Sequence, residues 1–306
     1  MSSLVNNSIK FWLVLIITLV ISACDKTEES AYQPVYAPKN TPQLTEYIVG
    51  IHPLHNPQRL MELYNPIVEY MNANIPEAHF TLEASRDYAE FENKLYAGRF
   101  DFAMPNPYQT IQSLKHGYRI FGKMGDDNDF RGIILVRKDS RIRNVSDLKG
   151  KVVSYPAPTA LAATMMPQYY LHTHGIDVNR DIENLYVGSQ ESSIMNVFRG
   201  YVAAGATWPV PWKGFEAEYP DMANQLEVKW QTEPLLNNAW VVRQDIPVLI
   251  ADKFAQLLFG LQDGEPGKTM LAQLPISRFE AANDETYRPV REFLETFSKT
   301  VRQIDY

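Results

Sequence analysis

Cysteine is almost missing: one residue, Cys24, in a chain of 306. No disulfide can form within the chain, and no cysteine cluster can hold a metal. Runs of basic residues are missing too. With 29 Lys and Arg against 36 Asp and Glu the formal net charge is −7, which argues against nucleic acid as a partner and leaves an anionic ligand in need of a local positive seat. No apolar run reaches the roughly 20 residues that a membrane-spanning helix needs. No internal repeat, nucleophile elbow, phosphate-binding glycine loop or His-Glu zinc helix occurs, so nothing points to catalysis. Two histidine pairs invite a metal reading. His52 and His55 share a loop, and His172 and His174 stand at i, i+2 on a helix, which turns them to different sides. With no acidic cluster beside them, neither pair is expected to hold a metal, and no cofactor is implied.

What is present begins at the N-terminus. Lys10 precedes an apolar run from Phe11 to Val20, followed by Ile21, Ser22, Ala23 and Cys24. This is the layout of a secretory signal, and Ile-Ser-Ala-Cys resembles the bacterial lipobox, whose cysteine is lipidated and becomes the first mature residue. The expectation is a signal peptide over 1–23 and a membrane anchor through Cys24. Its removal takes away one lysine and no acid, so the mature net charge is −8. Asp25 resembles the signal that keeps such proteins at the inner membrane in enteric bacteria. From 24 to 44 the chain is polar, with Pro34, Pro38 and Pro42 and no apolar period. This reads as a disordered tether, with a reach of roughly 60 Å at ~3.3 Å per residue.

The folded body reads as an alternation. A strand at Tyr47 to Ile51 is followed by a helix carrying Leu60, Leu63, Ile67, Val68 and Met71, with Pro66 inside it. A second helix carries Tyr88, Phe91 and Leu95 up to Gly98, and Phe100 to Met104 is again a strand. Strands at Arg119 to Met124 and Ile133 to Val136 follow, and Lys151 to Pro167 combines an apolar strand, a proline-bracketed turn and an alanine-rich helix start. A helix begins at Ser189 or Gln190, a small-residue strand spans Tyr201 to Thr207, and Trp208 to Trp212 reads as an aromatic, proline-stiffened loop. Asp245 and Asp284 are candidate caps for the last helices. The pattern predicts an α/β protein of two lobes, each a mixed, mostly parallel sheet flanked by helices. The lobes are expected over 45–136, 137–238 and, returning to the first, 239–306. Ile133–Arg137 and Ala239–Arg243 are the expected strands about which they close.

Asp87-Tyr88-Ala89, the run from Asp139 through Ser146-Asp147-Leu148-Lys149-Gly150-Lys151 to His174-Gly175-Ile176-Asp177, and Arg278-Phe279 to Arg291 resemble the phosphate-, phosphite- and phosphonate-binding proteins of bacterial ABC transporters. The likeness extends over nearly the whole chain after residue 45. It implies a type II periplasmic-binding fold that closes around a small solute and hands it to a membrane permease. It also implies binding positions, and here the chain departs from its relatives. Tyr88 matches a family tyrosine. A second tyrosine falls on Phe130, a Ser-Thr pair on Ala160 and Leu161, a histidine on Gln190 and an aspartate on Asn238. Without those hydroxyls and charges, a dianion would rest on backbone N–H groups, Thr159 and Arg131. The expected ligand is larger and less charged, or another oxyanion, with stacking on Trp208, Trp212, Trp240 or Tyr155.

Each of these residues has a plainer reading. Tyr88 could pack a helix onto the sheet, Gln190 could be a helix cap, Asn238 could form a turn with Asn237, Trp208 and Trp212 could pack between lobes, and Arg131 could be a surface residue. The expected partners are a small oxyanion or neutral aromatic solute, an ABC permease or alternatively a sensor kinase, and the membrane through the lipid.

Overall fold

The computed structural model describes residues 44–274 and 276–305. The expected signal peptide, Cys24 and the expected tether up to Gln43 lie outside the described residues.

The first sheet is built from β1 (Thr45–Ile51), β2 (Ala78–Glu83), β3 (Phe102–Met104), β4 (Tyr118–Met124), β10 (Ala239–Arg243) and β11 (Phe279–Ala281), in the order β11-β4-β10-β3-β1-β2. The second contains β5 (Ile133–Arg137), β6 (Val152–Tyr155), β7 (Glu183–Tyr186), β8 (Ala204–Thr207) and β9 (Leu226–Gln231), ordered β7-β6-β8-β5-β9. Both are mixed, and less parallel than the alternation suggests. In the first, β1 pairs parallel with β2 and β3, whereas β10 runs antiparallel to β3 and β4 and β11 to β4. The parallel pairs come from strand-helix-strand units; β10 is antiparallel where the chain returns from the other sheet, and β11 adds antiparallel to the edge at β4 after two further helices.

Two corrections concern strands. β2 alternates Ala78, Phe80 and Leu82 inward with exposed His79 and Thr81, a signal the helical periods on either side obscure. β5 pairs with β8 and β9, not with the first sheet, so the chain has already crossed before Ile133. The crossovers are 125–132 and 232–238, and they run side by side. Met124 N–H donates to Asn238 O (2.9 Å), Leu235 N–H to Phe130 O (2.9 Å) and Thr232 N–H to Gly132 O (2.9 Å). Asn237 N–H and the buried Lys123 ammonium both donate to Asp127, each at 2.9 Å, and Lys123 also meets Glu280 at 2.6 Å. Lys123 thereby finds two carboxylates where burial would otherwise penalise its charge.

Helix starts follow local chemistry. Asn56 caps α1 (Pro57–Asn74), Asp87 caps α2 (Tyr88–Tyr96), Asn106 opens α3 (Pro107–Ser113) with a capping box, and Ser189 caps α5 (Gln190–Phe198). The segment after β6 begins with a π-turn, Leu161–Met165, that continues as α4 (Met166–Thr173). Trp208–Trp212 is not a loop. Trp208 is the cap residue of α6 (Pro209–Glu218), and Pro209 and Pro211 fall in its first turn, where missing N–H groups cost nothing. A short helix, α7 (Pro220–Ala223), follows it. Asp245 and Asp284 do not cap: α8 (Val248–Phe259) starts after Pro247, and α10 (Arg288–Thr300), which follows α9 (Glu265–Gln273) and β11, starts after Tyr287. Asp245 instead binds the Arg243 guanidinium at 2.6 Å, and Asp284 binds Arg291; a strong cation within reach outcompetes the backbone donors.

The main core packs α1, α8 and α10 on the first sheet and continues into the second, while Ile133, Leu135, Ile194, Val197 and Phe215 form a smaller cluster under α5 and α6. Among the described residues no helix is long and apolar enough to cross a membrane.

Candidate functional site

In open α/β sheets ligands collect at the carboxyl ends of the strands, and here the ends of β1, β3, β8 and the second crossover meet the start of the π-turn. His52 follows the end of β1 and Asn106 lies two residues past β3, β8 delivers Thr207 with Trp208 next to it, and 232–238 delivers Asn238. Around them closes a cavity with only about 10 Å³ left inside, lined by residues from both sheets. That is the room of about one water molecule.

Polar contacts cross it. Thr207 Oγ1 donates to Gln190 Oε1 (2.9 Å), and Gln190 Nε2 donates to the Tyr88 hydroxyl (3.1 Å). The relay runs one way, so the proton of Tyr88 remains free to donate into the cavity. Burial raises the Tyr88 pKa well above the usual phenol value, although the Gln190 bond works against this, and the hydroxyl stays protonated. Asn106 Nδ2 reaches over to Thr159 O at 3.1 Å. His52 is buried; its Nδ1 lies 2.9 Å from Met104 O, and a carbonyl only accepts, so Nδ1 holds the proton and Nε2 is left as an acceptor. Burial pushes the His52 pKa down to about 4, more than the Met104 bond pushes it up, and the ring is uncharged at neutral pH. Asn238 is wholly buried; its Nδ2 contacts Met124 Sδ at 3.3 Å, and its Oδ1 has no partner among the described residues.

The π-turn supplies donors. Thr164 and Met165 N–H both bind Ala160 O, at 2.9 and 3.2 Å. The N–H groups of Leu161, Ala162 and Ala163 precede any intrahelical acceptor, and these residues line the cavity. Ala160, at the cap, provides no side-chain hydrogen bond. Phe130 and Trp208 form an aromatic wall, ring centroids 5.5 Å apart.

Of the residues expected from the sequence, Tyr88, Phe130, Ala160, Gln190, Trp208 and Asn238 line this cavity together. The others lie elsewhere. Thr159 contributes its carbonyl to Asn106, not its hydroxyl to the cavity. Arg131 folds its guanidinium back onto Asn128 O, with Nε at 2.8 Å. Tyr155 is buried beside Tyr186, 6.0 Å between rings, with its hydroxyl unpartnered among the described residues. Trp212 stacks on Phe215 in the smaller core, and Trp240 packs among Phe121, Phe254 and Phe279. His52, Asn106, Thr207, Ala162 and Ala163 were not among the expected residues. The signal for the first two is positional: His52 directly follows β1 and Asn106 lies two residues past β3. Among the described residues no cluster of His, Cys, Asp and Glu is suited to a metal.

Two mixed sheets, joined by paired crossovers with a buried site between them, define the type II periplasmic solute-binding fold. Comparison with solved structures agrees. A binding protein component of an ABC phosphonate transporter from Pseudomonas aeruginosa superposes with a TM-score of 0.78 at 19% identity, covering 84% of this chain and 88% of its own. PhnD1 from Prochlorococcus marinus (MIT 9301), in complex with methylphosphonate, gives 0.75 at 18% identity over 83% and 99%. A histidine kinase sensor domain with similarity to periplasmic binding proteins gives 0.54 at 16% over 77% and 98%. The family model of phosphonate ABC transporter periplasmic substrate-binding proteins matches residues 49–287, and the chain belongs to that family. Its members are the periplasmic substrate-binding components of such transporters, which work with a membrane permease.

Proposed function

We propose that this chain captures a small solute between its two lobes for an ABC permease, and that its site has shifted from a dianion toward a more neutral, hydrogen-bonding ligand. One observation carries the reading: none of the residues lining the inner cavity bears a charge at neutral pH. The helix-start N–H groups still favour negative charge. They face Tyr88 as a further donor and Asn238 Oδ1 and His52 Nε2 as acceptors, so the fitting group combines acceptor and donor atoms. Calorimetry with inorganic phosphate, methylphosphonate and aminoethylphosphonate against uncharged and zwitterionic solutes tests this. Tight binding of phosphate or aminoethylphosphonate would overturn it.

Tyr88→Phe and Gln190→Ala remove the end and the middle of one relay. Each is expected to weaken binding of whichever solute the calorimetry identifies by roughly tenfold, at ~1–1.5 kcal/mol per hydrogen bond, and the double variant by less than the product because the residues act as a unit. Unchanged affinity in both would show that the solute does not sit here.

The anchor belongs to the same reading. Cys24 is proposed as the lipid-bearing residue at the start of a solvated tether over 24–44, holding the binding body on the periplasmic side of the inner membrane. Cys24→Ser is expected to move the protein from the membrane fraction to the soluble periplasm; continued membrane association would refute the anchor.

A sensory role is the second reading, in which occupancy is presented to a kinase instead of a permease. The similarity to a histidine kinase sensor domain favours it weakly. Gene neighbours separate the two: a permease with an ATPase supports uptake, a kinase alone supports sensing.

A further inference from the structure

A second, much larger cavity of about 500 Å³ lies between Leu54, His55 and Arg59 on one side and Ile194, Val210 and Phe215 on the other. The first three follow β1 or sit on α1; the others sit on α5 and α6. It therefore opens between the two lobes, as the inner cavity does. Gln190 lines both cavities. Both polar atoms of its side chain are engaged, with Thr207 and Tyr88, so the side chain stands as the partition between the two.

Size decides what each compartment can hold. The inner one, with the room of about one water molecule, takes no more than the tip of a polar head, whereas about 500 Å³ falls in the range of small-molecule sites, roughly 300–1,000 Å³. Charge decides what kind of group the outer one takes. Arg59 and Lys213 share the lining with Glu191 and Glu218, and both cations already have partners outside it, Arg59 in Glu62 (3.3 Å) and Lys213 in Asp129 (3.1 Å), so neither is left as a seat for an anion. His55 is uncharged, its pKa pushed to about 4 by burial and secondarily by Arg59, and its ring can donate at one nitrogen and accept at the other. Leu54, Ile194, Val210 and Phe215 offer apolar surface.

We propose that the outer compartment binds the uncharged organic body of the solute, an alkyl or aromatic substituent with a hydrogen-bonding edge, while the inner seat takes the tip of its small polar head. This rests on the inner-site reading given under the proposed function. It makes the natural solute an organically substituted molecule instead of a bare oxyanion.

The test follows the His55 ring and the Gln190 side-chain amide by NMR in the full mature chain, titrated with hexan-1-ol, ethanol, hexylphosphonate and methylphosphonate. Saturable shifts at His55 are expected with both hexyl compounds, with hexan-1-ol binding roughly tenfold or more tighter than ethanol because its extra methylenes leave water. Ala217→Trp, at an exposed position on the rim, is expected to abolish those shifts while leaving Gln190 responsive to methylphosphonate; Ala272→Trp approaches from the opposite lobe as a second variant. His55 shifts without any at Gln190 would support the outer compartment and refute the inner seat. Shifts at Gln190 with none at His55 would overturn the outer compartment and leave the inner seat standing. No saturable shift at His55 with any probe, or hexyl shifts that survive both tryptophans, would also overturn it.

Discussion

Ala160→Ser combined with Leu161→Thr is expected to raise affinity for methylphosphonate by ~10- to 100-fold, since a hydrogen bond to a charged acceptor contributes ~1.5–3 kcal/mol. Both positions line the inner cavity at the start of the π-turn, where the family resemblance places hydroxyls. Ser at the cap has a second effect. It can accept from a free N–H of the turn, which Ala160 does not do, and such a cap is worth ~1 kcal/mol. Leu161 works in the opposite direction. Its side chain is buried, and shortening it gives up apolar burial at a cost of ~2–4 kcal/mol. The double variant is thus expected to melt several degrees lower in the absence of ligand and to gain more from added methylphosphonate than the parent does. Thermal shift with and without ligand, followed by calorimetry, reads both effects. An unaltered phosphonate affinity would mean that the missing hydroxyls are not what sets ligand choice.

Gly132→Ala is expected to damage the fold and the inner seat together. A Cβ at this position would lie 2.6 Å from both Ala162 O and Pro167 Cδ, contacts that real Cβ atoms do not make, and the carbonyl is backbone in the π-turn itself. The turn must shift or the crossover must bend. Overpacking of this kind costs ~1–3 kcal/mol, and because the displaced segment carries the N–H groups of the inner seat, affinity should fall together with stability. Gly214→Ala is the matching control. It lies within α6 with nothing within 4 Å of the added atom, and Ala in a helix interior is favoured over Gly by ~0.5–1 kcal/mol. Urea unfolding of the two variants should move in opposite directions. Equal behaviour would refute the steric account of Gly132.

How far the molecule was legible in its sequence differs by residue. Tyr88 and Gln190 are legible through the family resemblance, and the structure supplies the physical reason: each opens a helix just after a capping residue, Asp87 and Ser189. Asn238 is legible from its place before β10. His52 and Asn106 read as loop residues, because what makes them functional is convergence of β1 and β3 at one edge, and adjacency of strands is not written in either segment. The tryptophans show the same limit. Trp208 and Trp212 share one proline-rich stretch, yet the first lines the cavity and the second fills a core, as Trp240 does from its strand; only the packing of distant strands and helices separates them. Arg131 fails for a different reason. Its guanidinium finds Asn128 O three residues away, and a nearby acceptor satisfies it before a distant ligand can. The lobe boundary slips because the apolar run of β5 is equally suited to the interior of either sheet.

The C-terminal segment joins the lobes as well. Arg302, just beyond α10, donates through Nε to Gln168 Oε1 (3.0 Å) and through Nη2 to Pro158 O (2.6 Å), Asn179 Nδ2 donates to Val301 O (2.7 Å), and the Tyr108 hydroxyl holds Asp305 O at 2.6 Å. Two bodies joined by a pair of neighbouring strands keep a rotation about them, as a door keeps its swing. A third attachment works like a door chain, made of the Arg302 side chain and the Asn179 bond to the Val301 carbonyl. How far the lobes can part is then limited by residues 301–305 as well as by the crossovers.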